Sequence, residues 1–403
     1  MRIRAFQGLR PAPEAAPKIA SLPYDVVNTA EARELAAGNP LCFLHVVRAE
    51  IDLPDGTDPY SPEVYAQAKA ALTRLEAEGG LVRESEPCLY LYRQKMGQHV
   101  QTGVVGVFHI EDYENNLIKK HEKTRKAKED DRTTLNRTLS AHPGPVFLTY
   151  KEQKAIDAIV AKLTAEKPFV HFTAPDGVEH TVWRVPGGSD LIEAFKAVPV
   201  CYVADGHHRS ASAARVGAER RAANPAHTGE EDYNWFLAVI FPGEQLNVLP
   251  YNRYVHDLNG CTPEQLVAEI AKVCEVSEGA SPEPAAYGEV SMYLDGKWYN
   301  LKFPGGESDP IARLDVSRLQ DHILAPLLDI DDPRTSEKID FIGGIRGTKE
   351  LVKLVDNGGG VAFSVYPVTV DQLIDIADAD AIMPPKSTWF EPKLRSGLFI
   401  HTF

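Results

Sequence analysis

The chain has 403 residues, 43% of them apolar and 25% charged, and carries a formal net charge of −14. That composition reads as an ordinary soluble globular protein of two or three domains, with a core large enough to need no covalent staples. The acidic balance excludes general attraction to nucleic acid, although a local basic patch can still hold a phosphate. Five scattered cysteines (Cys42, Cys88, Cys201, Cys261 and Cys274), never spaced as C-x-x-C, argue for a reducing, cytoplasmic setting and against a disulfide framework or a zinc ribbon. The opening MRIRAFQGLRPAP lacks the apolar segment of a signal peptide. No stretch approaches the roughly 18 apolar residues of a membrane span.

In chain order, IASLPYDVVN reads as a strand entering a turn at Pro23 and Asp25. TAEARELAAGN reads as a helix with Thr29 as N-cap and Gly38 just past its end. PLCFLHVV is a compact apolar run, expected as a strand. SPEVYAQAKAALTRLEAEGG is a helix capped by Ser61, with Pro62 at its first position and Gly79 as its stop. Residues 87–113 form an expected hairpin turning at Met96-Gly97-Gln98.

NLIKKHEKTRKAKEDDRTTLNRTL follows as one long polar helix. GPVFLTY is an expected strand, KEQKAIDAIVAKLTAE a helix, and PFVHFTAPDGVEHTVWRV a hairpin with Asp176-Gly177 in its turn. DLIEAFKAV reads as a helix, PVCYVA as a buried strand and SASAARVGAERRAA as a helix packed closely through its small residues. Residues 233–255 hold two further strands. From Thr262 the pattern is helix, hairpin at Asp295-Gly296 and helix. KIDFIGGIRGTKELVKLVDNGGGVAFSVYP then adds strand, helix and strand, and MPPKSTWFEPKLRSGLFIHTF returns as an ordered tail. Helices and strands alternate without period, which implies a mixed α/β (α+β) class. Three segments are expected. Residues 1–100 are an N-terminal α/β region, 101–255 a core with the main motifs, and 256–403 a C-terminal region whose PPKST tail packs back on that core.

The densest motif is Asp205-Gly206-His207-His208-Arg209, placed between a buried strand and a helix. A helix N-terminus offers free N–H groups and a positive dipole end, so it suits an anion. Gly206 allows close backbone approach, and Arg209 and the histidines add donors for phosphate oxygens. Asp205 can hold a metal, orient a histidine or take a proton. The plain alternative is an Asp-Gly turn with surface histidines. The second constellation is KKHEKTRKAKEDDR, where helical spacing puts His121, Arg125, Lys128 and Arg132 on one face beside Glu122 and Glu129. Its plain alternative is a solvated helix laced with i,i+4 ion pairs. Glu122 is the candidate general base. In MPPKSTWFEPK the prolines stiffen a loop whose Lys386, Ser387 and Thr388 suit a phosphate. GGIRGTKE is not a Walker A loop, and Tyr24 and Asp25 of LPYDV can line a pocket. H-E-x-x-H, G-x-S-x-G and G-x-G-x-x-G are absent, which sets zincins, α/β-hydrolases and the usual dinucleotide folds aside.

Together, LPYDVV, HEKT…KEDDR, YVADGHHR, LPYNR and MPPKSTWFEPK…SGLFIH resemble, in this order, a bacterial and archaeal domain-of-unknown-function family often labelled ParB-like. The resemblance spans nearly the whole chain. It implies a ParB/sulfiredoxin-like core with large additional elements. Free-serine kinases of that superfamily also pair a His-Glu on an early helix with a D-G-H-H-R box before a later one. By that resemblance Glu122 is the base acting on a substrate hydroxyl, and Asp205, His207, His208 and Arg209 hold phosphates and metal.

The expected function is nucleotide-dependent phosphoryl transfer to or from a small hydroxylated metabolite, with free serine or phosphoserine preferred. The alternatives are a ParB-like nucleotide- or nucleic-acid-binding regulator without catalysis, and a phosphoserine-type phosphatase. Expected catalytic residues are Glu122, Asp205 and His208. Expected nucleotide contacts are His121, Arg125, Arg132, Gly206, His207, Arg209, Ser210, Lys386 and Ser387. ATP or ADP is the expected cofactor, with Mg²⁺ held by Asp205.

Overall fold

The computed structural model describes residues 1–403 as a mixed α/β chain. It divides into two compact units, residues 1–246 with 392–403, and residues 247–391. These bounds differ from the three expected segments. Residue 100 lies inside the His99–His109 strand, and residue 255 ends a strand of the second unit. Sheets recruit strands from distant parts of the sequence, so motif content does not mark where a unit ends.

The first unit is built on a nine-stranded sheet. Its order runs Ile118–Lys119, Cys201–Asp205, Val146–Tyr150, Trp235–Pro242, His99–His109, Cys88–Met96, Glu179–Pro186 and Val170–Thr173. Ile3–Arg4 adds to the His99–His109 strand. Two pairings are parallel, Trp235–Pro242 with Val146–Tyr150 and Cys201–Tyr202 with Ile118–Lys119. Every residue of Trp235–Pro242 and of Val146–Tyr150 is buried, because both faces of the central sheet are covered. That is why both read as largely apolar runs rather than alternating ones, and the one buried hydroxyl, of Thr149, donates to the Phe241 carbonyl. Leu89, Leu91, Phe108, Leu148, Tyr150, Phe195, Phe236 and Ile240 belong to one core cluster.

The helices Lys126–Leu139 and His207–Ala223 pack against each other. A buried hydrogen bond from Asn136 Nδ2 to Ser212 Oγ (3.1 Å) and a two-pronged Arg137–Glu219 pair fix their register. A second cluster joins Leu44, Val46 and Val47 to Val64, Tyr65, Ala68 and Leu75 of the Pro62–Ala77 helix.

Several local expectations are corrected. The 40–47 run is not a strand but enters a short helix, Leu44–Val47, because a short buried apolar run suits either state and its partner here is a helix. IASLPYDVVN is not a strand; a helix ends at Ile19, and only Ser21 makes a bridge, to Ser396. Asn28, not Thr29, caps the Thr29–Ala36 helix, in a capping box with Glu31. Residues 233–255 carry three strands, Trp235–Pro242, Asn247–Leu249 and Tyr251–Val255, rather than two. The long helix from Asn116 is the most consequential correction. Residues 118–119 form a strand, 120–125 a loop, and the helix starts only at Lys126. Sheet pairing to Cys201–Tyr202 overrides the helical propensity of this stretch.

In the second unit a six-stranded antiparallel sheet runs Glu275–Glu278, Lys297–Lys302, Glu289–Leu294, Val361–Val365, Tyr251–Val255 and Ile339–Gly343. Thr348–Gly358 packs on it through Leu351 and Val355. No helix of the chain is long and apolar enough to cross a membrane.

Leu148 is fully buried on the Val146–Tyr150 strand of the central sheet. Leu148→Ala should cost about 2–5 kcal/mol, the usual price of a core leucine truncation. Urea unfolding checks this, and a loss below about 1 kcal/mol would mean that the central sheet is not the core.

Candidate functional site

The site begins with a strand that ends irregularly. Cys201–Asp205 pairs with Val146–Tyr150, and its register slips between Val203 and Asp205. Such a slip re-aims the side chain at its end, here Asp205. Gly206 follows at φ +95°, a left-handed conformation that glycine adopts without penalty. A Cβ on Gly206 would meet Arg209 Nε at 3.0 Å. Gly206 is the N-cap of His207–Ala223, and no side chain caps that helix. The Arg209 and Ser210 N–H groups donate to the Gly206 carbonyl, and the positive dipole end of the helix still faces the turn and attracts an anion.

Sheet pairing supplies the second half. Ile118 and Lys119 run parallel to Cys201 and Tyr202, residue for residue. Two parallel neighbours leave the sheet on the same side, so His121-Glu122 emerges beside the 205–207 turn. The rings of His121 and His207 lie perpendicular, with centroids 4.5 Å apart. Ligating atoms of His121, Glu122 and His207 all lie within 4.8 Å of one another. Both histidines are buried, at 2% and 5% exposure. The Val203 backbone lies beside His121, yet neither ring nitrogen of His121 has a partner in hydrogen-bond geometry, and neither does His207 Nε2. A second tie between the segments is the Arg125 N–H, which donates to His208 Nε2 at 3.0 Å.

Charge is balanced beneath the turn. Lys393 Nζ donates to Asp205 Oδ2 at 3.1 Å. The Arg209 guanidinium lies 3.8 Å from both Asp205 and Asp25 and donates to the Pro145 carbonyl. Burial alone would raise the Asp205 carboxyl, but Lys393 and Arg209 outweigh it and hold the group well below the usual carboxylate range. Burial pushes His121 down to about 4, against an upward pull from Asp205. His207 is pushed well below its ordinary value by burial and by His121.

The structure thus brings together Glu122, His121, His207, Asp205 and Gly206, with His208 and Arg125 alongside. Other expected residues turn elsewhere. His121 precedes the helix and so cannot share a helical face with Lys128 and Arg132. Arg132 is buried, stacks 3.9 Å over the Tyr24 ring and pairs with Asp131. Arg132 and Arg209 line a pocket with Tyr24, His142 and Ser396, so Arg209 is turned inward, beneath the turn. Ser210 is buried, and its hydroxyl donates to the His207 carbonyl at 3.0 Å. Lys386 and Ser387 belong to the second unit, where Lys386 Nζ sits 5.3 Å over Tyr251 and Ser387 donates to the Pro384 carbonyl at 2.7 Å. Lys393 was not singled out from the sequence. Its signal was a lone lysine between Pro392 and Leu394, and only folding carries it to Asp205.

Residues 3–317 match the family described as Protein of unknown function (DUF1015). Among curated proteins none matches the chain. Solved structures similar to it include a free serine kinase mutant in complex with AMP (TM-score 0.39, 14% identity, 74% of this chain and 92% of that one). SbnI with C-terminal truncation from Staphylococcus aureus gives a TM-score of 0.42 at 10% identity, over 74% of this chain and 87% of that one. A conserved hypothetical protein from Pyrococcus furiosus gives 0.38 at 15%, over 74% and 94%. Likeness at this level bears on neither activity nor ligand.

The buried histidines give the fold a pH dependence. Their folded pKa values lie below the unfolded value of about 6.5. Above that value both states are neutral and the stability is fully present. As pH falls from about 6.5 towards 4, the unfolded chain takes up protons that folded His121 and His207 refuse, and stability is lost. Each such group contributes a slope of about 1.4 kcal/mol per pH unit in that window. His180, pushed down to about 3 by burial, adds in the same direction. Urea midpoints should fall between about pH 7 and pH 5, and His121→Gln should flatten the fall. An unchanged wild-type midpoint would contradict the burial of these rings in neutral form.

Proposed function

The chain belongs to this family of unknown function, and on that premise we propose that the 120–125 loop and the 205–209 turn form a nucleotide-dependent phosphoryl-transfer site. The acceptor is a small hydroxylated metabolite, with free serine preferred and phosphoserine as the product. The observation that carries this reading is the meeting of one carboxylate, Glu122, with the uncapped start of the His207–Ala223 helix. A base and an anion holder are the two parts that phosphoryl transfer asks of a protein beyond positioning.

The residues fit a nucleotide phosphate. The positive dipole end of the helix attracts it, and the exposed Arg125 stands at the rim. Arg209 acts from beneath as fixed charge rather than by direct contact, since its side chain is only 11% exposed. Asp205 does not fit as a Mg²⁺ ligand, because Lys393 and Arg209 already neutralise it. In the proposed reaction the acceptor hydroxyl oxygen forms a bond to the transferred phosphorus while the bond to the nucleotide's leaving oxygen breaks. The hydroxyl proton passes to Glu122. His208, held by the Arg125 backbone, orients the loop against the turn.

Glu122→Gln keeps shape but cannot take the proton. With ATP or ADP and serine, turnover should fall by about 10²–10⁴-fold while nucleotide affinity, read by thermal shift, stays nearly constant. Near-normal transfer in Glu122→Gln would remove Glu122 from the mechanism. Phosphate release from phosphoserine with no acceptor nucleotide would replace transfer by a phosphatase activity.

A further inference from the structure

We propose that His121, Glu122 and His207 bind one divalent transition-metal ion of the zinc type, through two imidazole nitrogens and one carboxylate oxygen. Two observations support it independently. The first is geometry, with donor atoms from all three residues within 4.8 Å of one another. A four-coordinate ion with bonds of about 2.0–2.2 Å holds its donors about 3.4 Å apart, so closure needs side-chain shifts of only about an ångström. The second is unmet bonding. Three imidazole nitrogens here, both of His121 and Nε2 of His207, are buried without a well-aligned hydrogen-bond partner, and only the Val203 backbone lies close to His121. Buried polar atoms are nearly always satisfied, and a cluster of exceptions calls for an ion, a water or a ligand.

The donor types decide which ion. Imidazole suits zinc and its first-row neighbours, whereas Mg²⁺ prefers an all-oxygen shell. Two histidines and a glutamate are also a three-ligand set that leaves a coordination position open for water or a substrate oxygen. The local fold favours it too. His121 and Glu122 sit on a loop and His207 opens a helix, and the parallel pairing of the two preceding strands fixes their separation. Glu122 bound through one oxygen keeps the other for an acceptor hydroxyl, so the ion and the proposed proton transfer are compatible.

The test uses full-length protein stripped with EDTA and titrated with Co²⁺, followed by visible absorption, and with Zn²⁺, followed by calorimetry. The expected result is one ion per chain, with the intense Co²⁺ bands of a four- or five-coordinate site. His121→Ala and His207→Ala should weaken binding by more than about 100-fold, the upper cost of losing merely an outer partner. His256→Ala, on an exposed residue of the second unit, should bind like wild type. Should the histidine variants fail to fold, wild type alone decides. Zn²⁺ retained in excess Mg²⁺ supports the site, and Zn²⁺ displaced by equimolar Mg²⁺ overturns it. Weak six-coordinate Co²⁺ bands, or equal binding by wild type and His207→Ala, also overturn it. Binding is read without turnover, so its failure is distinguishable from the absence of phosphoryl transfer.

Discussion

Burying the Arg209 guanidinium is the constraint from which the rest of the first unit follows. An arginine taken out of water costs several kcal/mol unless its charge is met and its N–H groups are used. Three separate segments meet the charge and use one N–H group, while the buried Nε keeps no hydrogen-bond partner. Asp25 comes from the N-terminal loop, Pro145 from the start of a central strand, and Asp205 from the turn itself. Asp205 in turn faces a second cation, Lys393, brought by the last dozen residues of the chain. The turn is therefore pinned from below on all sides, and its upper face is left to the uncapped helix and the histidines.

That pinning explains how a strained-looking arrangement persists. Gly206 sits over the arginine at φ +95°, a conformation that favours glycine, and a Cβ there would crowd the Arg209 side chain at 3.0 Å. No side chain caps the helix start, and the two buried histidines leave ring nitrogens without partners. Unmet bonding of this kind is unfavourable in isolation and is tolerated where the surrounding structure over-determines it, most often at functional sites. Here the surrounding structure is the fully buried strand Val146–Tyr150 and the paired helices Lys126–Leu139 and His207–Ala223.

Much of the local structure was legible in the sequence, because short-range chemistry decides it. The turns at Gly97, Asp176-Gly177 and Asp295-Gly296 fall where expected, since glycine adopts their left-handed conformations cheaply. Ser61-Pro62 opens a helix, and the DGHHR box does stand between a strand and a helix. What failed were stretches whose state depends on a distant partner. The 40–47 run became helical against the Pro62–Ala77 helix, and residues 118–119 became a strand against Cys201–Tyr202.

The candidate site divides in the same way. The sequence by itself determined which groups are available, because a dense Asp-Gly-His-His-Arg run after an apolar strand and a His-Glu pair are visible as residue types. Only the tertiary structure decided how they are used. Parallel pairing of two strands more than eighty residues apart set His121 and Glu122 beside His207. Packing also paired Asp205 with Lys393 and Arg209, two cations that its local sequence does not announce together. Periodicity records which face of an element is buried, but the partner of a buried charge is chosen by packing across the whole unit, and no local pattern encodes that choice.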